Sequence, residues 1–283
     1  MSTERLAVRK TYKLFIGGAF PRSESGRSYE VTDGKGNFVA NAARASRKDV
    51  RDAVSAARKA FGGWSGRTPY NRGQILYRVA EMMEGRRAQF VDEVRAGGVG
   101  KAAAEAEVDA AIDRWVWYAG WADKIAAVAG SANPVAGPFF NFSTPEPTGV
   151  VGIVAPDSAL LGLVSVVAPA IVTGNTCVVV VAQPLVAVTL AEVLATSDLP
   201  GGVVNILTGH RAELAPWLAS HMDVNAIDLA GAPEELANSC VEAAAQNLKR
   251  VLRPAAVDWS ADPGTTRLTA FLETKTVWHP VGV

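Results

Sequence analysis

Cysteine is scarce: Cys177 and Cys240 are the only two in 283 residues. That excludes a disulfide framework and suits a reducing compartment, so a cytoplasmic location is expected. The three histidines, His210, His221 and His279, have no metal-ligand spacing, so no zinc site is expected. Neither charge is in surplus: 28 Lys+Arg balance 28 Asp+Glu, and nothing points to nucleic acid or an acidic lipid surface. No apolar run is long enough to span a membrane. The richest stretch, 149–181, is broken by Asp157, Ser158, Pro169 and Gly174-Asn175, and reads as two buried strands flanking a buried helix. Met1–Lys10 has no apolar run, so no secretory signal is expected. Gly97-Gly98-Val99-Gly100-Lys101 lacks the spacing and the following Ser/Thr of a P-loop and reads as a turn.

What is there is an ordinary globular chain, 49% hydrophobic and 20% charged, with roughly two domains' worth of residues. Residues 12–20 read as a strand and tight turn, and the next twenty as polar loop. Ser46 and Asp49 form a capping signature ahead of an apolar stripe, Ala53, Val54, Ala56, Ala57, Ala60 and Phe61, which Gly62-Gly63 should end. Further helices are expected over 71–93 and 103–125. The second carries Trp115, Trp117, Tyr118 and Trp121 as core aromatics. Phe139–Phe142 reads as a short strand that Thr144-Pro145-Glu146-Pro147 kinks. From Gly149 onward strands at 150–154, 176–181, 203–207 and 226–229 alternate with helices at 160–172, 185–196, 212–220 and 233–247. That alternation predicts an α/β fold with a doubly wound parallel sheet. Cys177 falls in a buried strand and Cys240 in an apolar helix face, so both read as structural filler.

Several stretches, taken in order, resemble the NAD(P)-dependent aldehyde dehydrogenase superfamily. They are Leu14-Phe15-Ile16-Gly17-Gly18, the capped helix from Ser46 to Trp64, Tyr118-Ala119-Gly120-Trp121-Ala122-Asp123-Lys124-Ile125, and Glu146-Pro147-Thr148-Gly149-Val150. Ala168-Pro169-Ala170 with Gly174-Asn175-Thr176, and Leu199-Pro200-Gly201-Gly202 through Thr208-Gly209, carry it most strongly. The resemblance covers roughly 12–251 and resumes at 268–278. Between the two pieces the family has a whole catalytic domain with its nucleophilic cysteine; here a short Pro/Asp/Gly/Thr-containing run fills the gap.

Residue by residue, the resemblance implies losses at the functional positions. Ser158 stands where the family has the Asn that helps hold the oxyanion. Val180 and Gln183 stand where a Lys and a Glu meet the adenosine ribose. Leu229-Ala230-Gly231-Ala232 replaces Phe-Thr-Gly-Ser beside the pyrophosphate. Pro254 falls at the general base, with Ala256 and Val257 in place of glycines. Gly209 and Gly231 remain as turn glycines that serve either a phosphate or the backbone alone.

The expected fold is therefore a doubly wound Rossmann-like α/β domain with N-terminal helices, 1–133 and 149–256. A small β oligomerisation element follows from 134–148 and 265–283, and a connector, 257–264, replaces the catalytic domain. No catalytic residue is expected. Ser158, Val180, Gln183, Gly209 and Gly231 are remnants of a cofactor site; no cofactor is expected to be held tightly, and any residual NAD(P) site is weak. Phe140, Phe142, Thr274, Lys275, Val277 and Trp278 are the expected oligomerisation residues. The resemblance implies strand pairing with a full-length aldehyde dehydrogenase or with a second copy, in a non-catalytic subunit. The alternatives are a nucleotide-sensing module and an oxidoreductase active only within a complex.

Overall fold

The computed structural model describes residues 9–282. The reading of Met1–Lys10 lies largely outside the described residues, as do the outermost ends of the domain assignments. A short strand β1 (Thr11–Tyr12) leads to a hairpin, β2 (Ser28–Thr32) and β3 (Phe38–Ala43), in the sheet order β1-β3-β2. Residues expected to be loop are thus a hairpin. Its strands are short and mostly exposed on one face, which hides their alternation, and Asp33 closes the turn by accepting from Lys35 N and Asn37 N.

Helix α1 (Arg47–Ser65) starts as expected: Ser46 Oγ accepts from Lys48 N and Asp49 N, and the Asp49 carboxylate accepts from Ser46 N. It runs through Gly62-Gly63 rather than ending there. Trp64 is fully buried and its indole N–H donates to the Ile171 carbonyl at 2.8 Å, so tertiary packing overrides two poor helix formers. The helix expected over 71–93 is two, α2 (Pro69–Glu84) and α3 (Arg87–Ala96), divided at Gly85-Arg86. Helix α4 (Lys101–Ala119) stops at Gly120, and a separate turn of helix, α5 (Ile125–Ala129), follows. Trp115 and Tyr118 are core, as expected.

The main sheet is built from β6 (Val150–Val154), β7 (Thr176–Val181), β8 (Val204–Thr208), β9 (Ala226–Asp228) and β10 (Arg250–Leu252). Ahead of it in the chain lie β4 (Ser131–Asn133) and β5 (Phe139–Pro147). The main sheet is wholly parallel in the order β10-β9-β6-β7-β8, and β10 is a strand that sequence reading missed. Helices α6 (Leu161–Val172), α7 (Pro184–Ala195), α8 (Arg211–Ser220) and α9 (Glu234–Ala245) make the crossovers. Alternate residues of each strand feed two cores. Val151, Ile153, Cys177 and Val179 pack with α2, α3, α4, α6 and α7, whereas Val150, Val154, Val178 and Val180 pack with α1, α8 and α9. Phe15 guards the β8 edge by exchanging backbone hydrogen bonds with Ile206.

After β10 the chain crosses to α10 (Thr266–Ala270) and ends in β11 (Leu272–Pro280). β11 pairs antiparallel with β5 over nine residues, Leu272 opposite Pro147 to Pro280 opposite Phe139, and β4 lies on the far side of β5. The stretch 144–147 does not kink β5. Pro145 and Pro147 lie beyond the last residue that β4 pairs, Ser143, so their missing N–H groups leave no strand partner unsatisfied. Helix α10 occupies the start of the segment expected to be strand from 265.

The two sheets join at Asn175, which is fully buried. Its Oδ1 accepts from Gly149 N at 2.9 Å at the head of β6, and its Nδ2 donates to Thr173 Oγ1 and to Phe271 O, both at 3.0 Å. Asn175→Ala strands the buried Gly149 N–H and removes one bond each from Thr173 Oγ1 and the Phe271 carbonyl, and we expect it to cost about 1–3 kcal/mol in denaturant unfolding. A loss under about 1 kcal/mol would mean that the junction is held elsewhere.

Candidate functional site

In an open parallel sheet the ligand crevice lies beyond the strand carboxyl ends, where the order reverses. Here that point lies between β6 and β9. Two backbone donors at that point are engaged by the chain itself. Gly231 N donates to Val154 O and Ala232 N to Leu229 O, and Pro233 has no N–H. A Cβ on Gly231 would overlap the Ala155 carbonyl, so this glycine is explained by backbone contact. Glu234 and Glu235 fill the first turn of α9, placing negative charge where an anion would approach.

The N-terminus of α6 is likewise occupied. Glu107 reaches over from α4, and its Oε1 accepts from Leu160 N at 2.9 Å, Leu161 N at 3.3 Å and Ser158 Oγ at 3.3 Å. Ser158 Oγ accepts in turn from Gly162 N at 3.0 Å. Ser158 is thus a helix-capping hydroxyl in this structure.

Ser158 and Gln183 are brought together. Both line a cavity of about 310 Å³, in which Gln183 Nε2 donates to the Asp157 carbonyl at 2.6 Å. The cavity wall carries Glu93, Glu107 and Asp157 and no Lys, Arg or His. Burial raises the Glu93 carboxyl above its ordinary range, against hydrogen bonds from Thr189 and Gln89. Val180 does not join them: it is fully buried in the core beneath α1, α8 and α9. Gly209, at φ +148°, lines a neighbouring cavity of about 330 Å³ at the head of α8. Gly231 lies apart, against Ala155. Around this crevice the Gly231 and Ala232 N–H groups are engaged, the head of α6 is held by Glu107, and the first turn of α9 carries Glu234 and Glu235.

The cysteines offer no replacement nucleophile. Both are buried; burial pushes the Cys240 thiol up to about 11 and raises the Cys177 thiol as well.

Sequence reading missed the residues that seal the seam between β10 and α10. Arg114, 7% exposed on α4, donates to Ser165 Oγ at 2.9 Å and to the carbonyls of Trp259 at 2.8 Å and Ala261 at 3.0 Å. Arg267 stacks over the Trp259 ring and forms an ion pair with Asp228 at the carboxyl end of β9. The Asp228 side chain is wholly buried and the Arg267 side chain 14% exposed. The signal was legible in principle: an Asp inside an apolar strand, and an Arg one turn past Ala111 on a buried helix face, each demand a partner.

A family model described as the aldehyde dehydrogenase family matches residues 20–253. Among curated relatives, cytosolic aldehyde dehydrogenase 1 of Elephantulus edwardii is 35% identical over 252 residues, covering 84% of this chain and 49% of that protein. The cytosolic 10-formyltetrahydrofolate dehydrogenase of Pongo abelii is 34% identical over 263 residues, covering 89% and 29%. Among solved structures, the NAD+ complex of an aldehyde dehydrogenase from Bacillus cereus superposes with a TM-score of 0.80 at 27% identity, covering 86% of this chain and 50% of that one. The chain thus spans half or less of the length of these relatives.

Arg267→Met leaves Asp228 buried without its cation and should cost about 3–5 kcal/mol at neutral pH, most of it recovered by Asp228→Asn in the same chain. Burial holds the folded Asp228 pKa above its ordinary value, with Arg267 opposing. Its unfavourable ionisation in the fold therefore sets in as pH rises through that pKa, and the Arg267→Met penalty should shrink as pH falls. Denaturant midpoints across pH check this; a pH-independent penalty contradicts it.

Proposed function

This chain belongs to the aldehyde dehydrogenase family, and from that premise we propose that it is a non-catalytic, cytoplasmic subunit that associates with a complete NAD(P)-dependent aldehyde dehydrogenase and stabilises or organises it. The observation that carries the reading is the β11-β5-β4 sheet. Nine registered pairs hold β11 in place, yet its outer edge has no strand partner among the described residues. At the distal end the sheet exposes Trp278 at 58%, Phe140 at 53% and Phe139 at 41%; Phe142 and Val277 are half-buried. Aromatic contacts Phe139–Trp278 and Phe140–Phe142 tie these groups into one apolar tip. An ordered, unpaired edge beside exposed aromatics is the material of strand addition to a partner sheet. Thr274 and Lys275 lie mid-edge, where Lys275 reaches Glu146 at 3.0 Å on the neighbouring strand.

The engaged N–H groups, the acidic cavity and the buried Val180 support the non-catalytic part of this reading over a nucleotide-sensing module or an oxidoreductase active within a complex.

Co-expressed with a complete aldehyde dehydrogenase from its native source, the chain should co-elute with it in size-exclusion chromatography with light scattering. Phe140→Glu/Trp278→Glu should weaken that association at least about tenfold while leaving the fold intact. A chain that runs as a lone monomer at every ratio removes the proposal. Separately, calorimetric titration with NAD or NADP at about millimolar concentration should give no saturable heat; saturable binding would shift the balance to the nucleotide-sensing reading.

A further inference from the structure

The exposed face of the β1-β3-β2 sheet carries a cluster that neither the family resemblance nor the proposed association uses. A cavity of about 210 Å³ is lined by three cations, Lys13, Arg22 and Arg27, and by no carboxylate. The strand register explains the grouping. Thr11 stands opposite Asn41, and Ser28 opposite Ala43, on the side of the sheet away from Tyr12, Ala40 and Ala42, which enter a core. Thr11, Ser28 and Asn41 therefore add two hydroxyls and an amide beside the cations. Among the described residues, no side-chain hydrogen bond or ion pair uses Lys13, Arg22 or these three groups.

The loop that presents the arginines is fixed. Ser23 is buried and its hydroxyl donates to Asp49 at 2.7 Å, Glu24 N donates to the same carboxylate at 3.1 Å, and Gly26 N closes the turn on Ser23 O at 2.9 Å. Acids nearby are already committed. Asp49 caps α1, Glu24 pairs with Lys48, and Glu213 is shared by Arg27 and Arg44. Arg27 uses Nη2 on Glu213 and Nε on Ser25, which leaves its Nη1 for a ligand. Glu30, in register with Asn41, is on the same sheet but does not line the cavity.

We propose that this cavity binds a phosphate group, as inorganic phosphate or a small phosphomonoester, between Lys13, Arg22 and Arg27. A tetrahedral dianion takes charge-assisted hydrogen bonds from two guanidinium groups and an ammonium at once, and the side-chain hydroxyls and amide suit its remaining oxygens. The volume admits a phosphate with a few attached heavy atoms and no larger nucleotide. All the residues lining the site come from the N-terminal sheet and the loop between β1 and β2.

Calorimetry at constant ionic strength with inorganic phosphate tests it. Saturable binding is expected, weakened at least about tenfold in Lys13→Gln/Arg22→Gln. Both positions are at least partly exposed, so the variant should fold, as circular dichroism will check. Lys35→Gln, on the hairpin turn outside the cavity, should bind as the parent does. Glycerol phosphate in solution and vesicles containing phosphatidate separate a soluble ester from a lipid headgroup, and in either case the double variant must lose the interaction. No saturable heat with phosphate, or equal affinity in the double variant, overturns the proposal.

Discussion

The buried amide of Asn175 is the constraint on which the arrangement depends. A parallel sheet needs its first crossover to return the chain to the head of the neighbouring strand, and Gly174, at φ +98°, makes that turn. Asn175 then uses one side chain to fix three backbone segments: the head of β6, the end of α6 and the root of β11. No apolar residue of similar size could do this, because the Gly149 N–H would be left dry and unpaired and the Phe271 carbonyl would keep only the Thr148 N–H. The C-terminal strand is thereby attached to the main sheet by a hydrogen-bonded hub, although more than a hundred residues separate Phe271 from β6 in the chain.

The same economy governs the carboxyl edge of the sheet. In a doubly wound fold, backbone N–H groups and helix dipoles at this edge normally await an anion. Here Glu107 supplies that anion from within, Gly231 and Ala232 donate to neighbouring carbonyls, and Arg267 neutralises Asp228. Each contact satisfies a group that would otherwise face a ligand or water. At the head of α6 an external phosphate would have to displace Glu107, and at the head of α9 it would approach Glu234 and Glu235. Arg114 and Arg267 extend the logic to the segment after β10: three acceptors around one guanidinium, and a ring stacked on the other, make a short irregular segment part of the packed structure.

Much of the fold was legible because strands buried on both faces leave a signature that little else produces. Runs such as Thr176–Val181 and the capping pair Ser46 and Asp49 declare themselves without any partner. What escaped depended on distant contacts. Helix α1 passes two glycines because Trp64 finds Ile171 on another element. β5 passes two prolines because its neighbour β4 has already ended. β10 is three residues long and exists only because β9 offers it an edge. At the candidate site, sequence comparison registered which side chains had changed. It could not register that Glu107 would cap α6 or that Asp228 and Arg267 would meet, since each pair is far apart in the chain.

The C-terminal strand draws these threads together, because its environment changes along its length. Just before its root Phe271 is 1% exposed, its carbonyl accepting from Asn175 and Thr148, while near its tip Trp278 is 58% exposed against Phe139. Within the small sheet the Ser143–Thr276 contact and the Asn133–Asn141 amide pair fix the register, so the tip aromatics are held in place without being covered. Three strands with so little core of their own would be marginal if detached. Their order is borrowed from the hub at the root, and a partner that pairs with the β11 edge would gain a preformed strand without the entropic cost of ordering it. Root and tip are therefore one mechanical unit: weakening the Asn175 junction removes preorganisation from a surface that it never touches.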